Sequence, residues 1–126
     1  MGINVSACLE RNSGDITWYT VALDIDIPRH YNLYALMGMM GDYLGGGLYD
    51  ERGLPDNADD PTADLYKIAG TGASHLTTTE FGEVIEAYRP FAQTRPLAVI
   101  EAIHLFMLGI EKAYSEPCRI VFFRDQ

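Results

Sequence analysis

Ile3-Asn4-Val5-Ser6-Ala7-Cys8-Leu9-Glu10 opens the chain with apolar residues at every odd position and polar or small ones between them. A period of two is the pattern of a β-strand with one buried face. Asn12-Ser13-Gly14-Asp15 supplies turn residues, and the run from Ile16 to Ile27 is rich in Thr, Val, Ile, Trp and Tyr. The two runs therefore predict a β-hairpin, ended by Pro28. At the other end of the chain, Arg119-Ile120-Val121-Phe122-Phe123 is long enough for one more strand.

Between these runs the period lengthens. Leu33, Leu36, Met37, Met40 and Leu44 fall at helical spacing, with Asn32 as the N-cap and Gly41 and Gly45 as stops. From Gly45 to about Asp64 the reading is a long irregular loop, with Gly45-Gly46-Gly47, two prolines and the acids Asp50, Glu51, Asp56, Asp59, Asp60 and Asp64. A short amphipathic piece around Leu65 to Ile68 leads into a turn at Gly70-Thr71-Gly72. Thr77 and Glu80 then form a capping box for a helix carrying Phe81, Val84, Ile85 and Tyr88, closed by Pro90. Thr94 caps a further helix, with Pro96 in its first turn, running to about Tyr114. That helix is apolar almost all round, so it is expected either to lie centrally on the sheet or to form a subunit interface. The expected fold is a single α+β domain over residues 1–126, in the order β-β-α-α-α-β. Its small mixed or antiparallel sheet, made of the N-terminal hairpin and the C-terminal strand, packs on about three helices.

At 126 residues the chain is long enough for one core and too short for two, and 48% hydrophobic with 21% charged residues is an ordinary globular composition. Its net charge of −9 argues against direct nucleic-acid binding and against an anionic membrane surface, since both need clustered Lys and Arg. The same charge leaves open a basic partner, including the nucleic-acid groove of another protein, since opposite potentials steer association. The longest apolar stretch, around Leu97 to Ile110, is interrupted by Glu101 and His104, and the start has no basic-then-apolar leader. A cytoplasmic protein is expected. Cys8 and Cys118 lie in the first and last apolar runs and would be neighbours if those runs pair. Two isolated cysteines read more readily as small buried hydrophobes in a reducing compartment than as a disulfide.

Neither a metal nor a cofactor is expected. Cys8, His30, His75, His104 and Cys118 share no ligand-type spacing, and Asp56-Asn57-Ala58-Asp59-Asp60 lacks the pattern and closing glutamate of an EF-hand. Gly70-Thr71-Gly72-Ala73-Ser74-His75 has no P-loop lysine, and no elbow motif surrounds the serine. Polar and aromatic groups gather instead at element ends: Arg29-His30-Tyr31 before the first helix, Tyr49 and Arg52 in the long loop, and Ser74-His75 before the capped helix. Together they supply Arg for phosphate, His for a switchable proton and Tyr for stacking, the groups a pocket for a nucleotide-like anion would use.

The same stretches carry a resemblance. Met1-Gly2, Arg29-His30-Tyr31-Asn32-Leu33-Tyr34-Ala35-Leu36, Arg52-Gly53-Leu54-Pro55-Asp56 and Ser74-His75-Leu76-Thr77-Thr78-Thr79-Glu80 follow one another in the order of motifs in a family of small phage and prophage proteins of unassigned function. Members of that family open Met-Gly-Cys-Asp-Ile-His, continue with Arg-Asn-Tyr-x-Leu-Phe and Arg-Gly-Leu-Pro, and then show His-Ser-x-Ser-Trp-Leu-Thr. The chain departs from them at Asn4 and Ser6 and at His75, where the family has tryptophan. The resemblance implies a phage origin, a host-cell cytoplasmic location and an accessory role against host defence. Two functions follow as expectations. The first is a non-enzymatic binder of a nucleotide-like ligand through Arg29, His30, Tyr31, Tyr49, Arg52, Ser74 and His75. The alternative is an acidic inhibitor of the anti-CRISPR type, whose loop from Asp50 to Asp64 imitates nucleic-acid phosphates to a host protein. An enzyme is the less expected reading, and the surplus apolar surface of the last helix predicts a homo-oligomer, with a dimer as the simplest case.

Overall fold

The computed structural model describes residues 2–125, apart from the side chains of Leu44 and Ala69. Its elements are β1 (Asn4–Asn12), β2 (Trp18–Ile27), α1 (Tyr31–Leu36), α2 (Asp60–Ala69), β3 (Gly72–Thr77), α3 (Thr78–Tyr88), α4 (Thr94–Tyr114) and β4 (Cys118–Asp125), with single 3-10 turns at Tyr43–Gly45 and Arg89–Phe91. The fold is α+β. One antiparallel sheet runs in the order β2-β1-β4-β3, so the first and last strands form its centre.

Both faces of the sheet are covered. Val5, Ala7 and Leu9 of β1 and Cys118, Ile120 and Phe122 of β4 face α1, α3 and α4, where they pack with Leu33, Phe81, Val84, Tyr88, Ile100 and Met107. On the reverse face Cys8, Ala73, Val121 and Phe123 pack against Leu54 of the long loop and Leu65 and Tyr66 of α2. The alternation of β1 thus hides two buried faces, because Cys8 and Glu10 in the polar phase are as inaccessible as their apolar neighbours. The terminal runs do pair, yet Cys8 and Cys118 project to opposite faces and both remain free thiols.

Four local readings change. The first helix is a single short piece that starts at Tyr31, not at an Asn32 cap, and ends before Gly38. Gly38 takes φ +85°, and any Cβ there would stand 2.5 Å from the Tyr49 carbonyl oxygen. Apolar spacing through Met40 and Leu44 therefore follows a turn closely packed on the loop, and not a helix. The acidic stretch ends in α2, with Asp59 as its N-cap and a proline in its first turn, so the amphipathic piece at Leu65–Ile68 is the second half of a ten-residue helix. The stretch between the turn at Gly70-Thr71-Gly72 and the capped helix, given no strand from sequence, is the edge strand β3. The capping box at Thr77 and Glu80 is present as expected, whereas α4 is preceded by Gln93, with Thr94 as its first residue. Only one face of α4 is buried, through Pro96, Ile100, Ile103 and Met107, which leaves Leu105, Phe106 and Leu108 on the surface. Among the described residues no helix is long and apolar enough to cross a membrane.

Candidate functional site

The long loop is an ordered structure built on the edge and reverse face of the sheet. It first runs beside β3, where the Gly53 N–H donates to the Ala73 carbonyl (2.9 Å), the Arg52 N–H donates to Ser74 Oγ (2.9 Å) and His75 Nδ1–H donates to the Gly53 carbonyl (3.2 Å). The first of these bonds satisfies an edge carbonyl, and the other two hold the loop against the strand through side chains. The loop then crosses to a buried ion pair. Glu10 Oε1 accepts from Arg119 Nε (2.8 Å), Glu10 Oε2 accepts from the Asp59 N–H (2.9 Å), and Arg119 also donates to Asn57 Oδ1 (3.1 Å) while lying 3.8 Å from the centre of the Trp18 ring. Asp59 in turn accepts from the Thr20 N–H (2.7 Å). Asn57 and Asp59, which the sequence places in a solvated acidic tract, are the side chains that tie the tract down.

The seven residues proposed for a ligand fall into two groups. Tyr49, Arg52, Ser74 and His75 lie where the loop meets β3 and the start of α3. Arg52 grips Glu80 in a bidentate pair (2.6 and 2.8 Å), donates to the His75 carbonyl (3.2 Å) and sits 5.0 Å from the Tyr49 ring centre. The Tyr49 hydroxyl donates to Glu83. These pairings have electrostatic consequences. Hydrogen bonds from Arg52 and the Thr77 N–H hold the Glu80 carboxyl down at about 2, the same pair raises Arg52, the Glu83 carboxylate raises the Tyr49 phenol, and burial lowers His75. Ser74 is buried and adjacent to His75 on one strand, so the two side chains point to opposite faces and cannot act as a nucleophile and its base.

Arg29, His30 and Tyr31 lie instead at the β2–α1 junction, beside an open depression of about 360 Å³ that Tyr43 and Gln93 complete. Arg29 donates to Asn4 Oδ1 (2.6 Å), His30 Nδ1 shares a hydrogen bond with the buried Tyr88 hydroxyl, and Tyr31 meets Tyr43 edge to face at 6.4 Å. Among the described residues no hydrogen bond or ion pair joins this group to the one around Arg52. The third histidine, His104, donates from Nε2 to the Thr78 carbonyl (3.1 Å).

Reading the sequence missed Glu80 and Glu83 as the partners that engage Arg52 and Tyr49, and Glu10 with Arg119 as the loop's anchor. The capping box did flag Glu80. For Glu10 the one signal was an acid within a strongly β-forming run. Cations elsewhere are engaged in the same way: Arg11 with Glu116, Arg89 with Glu86 and Glu101, and Arg124 with Glu51. By contrast Asp50, Asp56, Asp60 and Asp64 are exposed, and among the described residues none of their carboxylates accepts a hydrogen bond or ion pair. No group of three or more His, Cys, Asp or Glu among the described residues is placed to hold a metal ion.

Comparison with protein-family models, with curated proteins and with solved structures finds no match to this chain.

Proposed function

We propose that this protein is a non-catalytic docking protein, which presents a fixed acidic surface to a basic partner. The class of partner its charge fits is a protein that itself binds nucleic acid. One observation carries this reading: four carboxylates, Asp50, Asp56, Asp60 and Asp64, stand unpaired on a segment clamped to the sheet through Glu10, Arg119, Asn57 and Asp59. A rigid array of negative charge loses little conformational entropy on docking, and its field steers association with a positive groove. Arg52, one of the two arginines expected from sequence to meet phosphate, supports the reading from the other side, because it is already engaged by Glu80. The likeness to small phage proteins supports a host defence protein as the target.

The test is capture from host lysate, comparing wild type with the variant carrying Asp50→Asn, Asp56→Asn, Asp60→Asn and Asp64→Asn. A discrete basic protein should be retained at about 50 mM salt and released by about 500 mM, as the Debye length contracts. The variant should not retain it. Equal capture by wild type and variant, or capture indifferent to salt, would remove the proposal.

The Arg29 depression favours a second reading, in which a small anion of nucleotide type binds there with Tyr31 or Tyr43 stacked on its base. A thermal-shift screen with nucleotides, cyclic dinucleotides and ADP-ribose checks it. A ligand present at ~100 times its dissociation constant should add about 2.7 kcal/mol of stability, and the gain should vanish in Arg29→Ala. No shift across the panel would leave the acidic surface alone.

A further inference from the structure

The helical layer offers a second surface. α3 and α4 are antiparallel neighbours: Thr78 at the start of α3 bonds Glu111 near the end of α4 (3.0 Å), and Arg89 past the end of α3 bonds Glu101 (2.8 Å). Between them lies a groove. Its middle is Gly82, where a Cβ would come within 2.9 Å of His104 Nε2, so the missing side chain keeps the floor low. Adjoining hollows of about 320 and 430 Å³ share Gly82, Glu86 and His104, the first reaching Leu105 and the second Leu108. Leu105 is 69% exposed and Leu108 45%, an (i, i+3) pair on one flank with no described partner above it.

The rim defines the occupant. Glu83, Glu86 and Glu101 border the groove, and its one cation, Arg89, is taken up by Glu86 (3.0 Å) and Glu101 (2.8 Å). The rim therefore keeps a negative excess. A second copy of the chain would bring the same rim and the same net charge of −9, which opposes self-association through this face. The eleven residues of α3 give the groove a length of roughly 16 Å at 1.5 Å per residue, which accommodates about three turns of a docked helix.

We propose that the α3–α4 groove receives a basic amphipathic helix of a partner protein, with its apolar stripe on Leu105 and Leu108 and its Lys or Arg residues against Glu83, Glu86 and Glu101. This site deepens the docking function proposed above and rests on it, though on a different face from the acidic loop.

The experiment is fluorescence anisotropy with a labelled synthetic helix of about 18 residues, Leu on one face and Lys on the others. Controls replace Lys by Glu, or scramble the order. The full chain should bind the Leu/Lys helix and neither control. Leu105→Glu with Leu108→Glu should weaken binding on the order of tenfold or more, and Glu83→Lys should weaken it as well. The four-Asn loop variant should stay within about twofold of wild type, since the groove itself is intact. Circular dichroism checks that the variants fold, and Leu105→Gln serves if the double change unfolds α4. Absence of binding by wild type, equal binding by Leu105→Glu/Leu108→Glu, or sedimentation as a dimer that this variant splits would each overturn the groove proposal. Salt-sensitive lysate capture that the loop variant loses and Leu105→Glu/Leu108→Glu keeps would then leave the acidic-loop function standing alone.

Discussion

Arg52 and Glu80 show how a side chain's role is set by its neighbour. Arg52 has the chemistry of a phosphate ligand, but Glu80 closes the α3 capping box and takes both terminal nitrogens of Arg52. The Glu80 carboxyl sits at about 2 against an ordinary 4.5, so the fold gains from its ionised form. That gain is whole above pH about 4.5 and is lost as pH falls towards 2. Acid titration of stability should accordingly show a steeper fall below pH 4.5 in wild type than in Glu80→Gln, and parallel curves would deny the pair this role. The thiols make a second case. Burial raises Cys8, and takes Cys118 up to about 12, so neither should react with a disulfide reagent at neutral pH until the chain is unfolded. Rapid modification of the native protein would contradict that placement. Gly38→Ala puts a Cβ on a left-handed residue against the Tyr49 carbonyl and should cost at least about 2 kcal/mol in urea unfolding.

A buried ion pair, Glu10 with Arg119, anchors the end of the loop that leads into α2. Removing one partner of such a pair leaves the other uncompensated, so Glu10→Leu should cost about 3–5 kcal/mol, and Glu10→Leu with Arg119→Met less than the sum of the single changes. Hydrogen exchange at the Asp59 amide, which Glu10 accepts, should quicken in Glu10→Leu well beyond the rest of the loop; unchanged protection there would mean another anchor. Elements whose signal is local were readable from residues alone: the hairpin, the last strand, α3 with its capping box, and α4 to Tyr114. Elements made by distant partners were not. Gly72-Ala73-Ser74-His75 has weak β propensity and is a strand because β4 pairs with it along its length, while on the other side the Gly53 N–H bonds the Ala73 carbonyl and the Arg52 N–H bonds the Ser74 hydroxyl. Met37 and Met40 keep helical spacing past the end of α1, since burial demands apolar residues whatever the backbone does. The candidate side chains were chosen by residue type, and their engagement by Glu80, Glu83 and Tyr88 depends on contacts 28, 34 and 58 residues apart in the chain.

The two layers carry different surfaces, exposed carboxylates of the loop and α2 on one side and the Gly82–His104 groove between α3 and α4 on the other. The two edges of the sheet are closed by different means. The loop lies along β3, while β2 is broken by register shifts facing Ala7–Glu10, with Asp24 at φ +56° and Asp24 and Asp26 both exposed. An open straight rim invites a second copy to extend the sheet, strand on strand, without limit. The kink and the two exposed aspartates of β2 deny it that straight row of backbone groups, so straightening β2 should lower the concentration at which the chain stays in solution before it alters any other face.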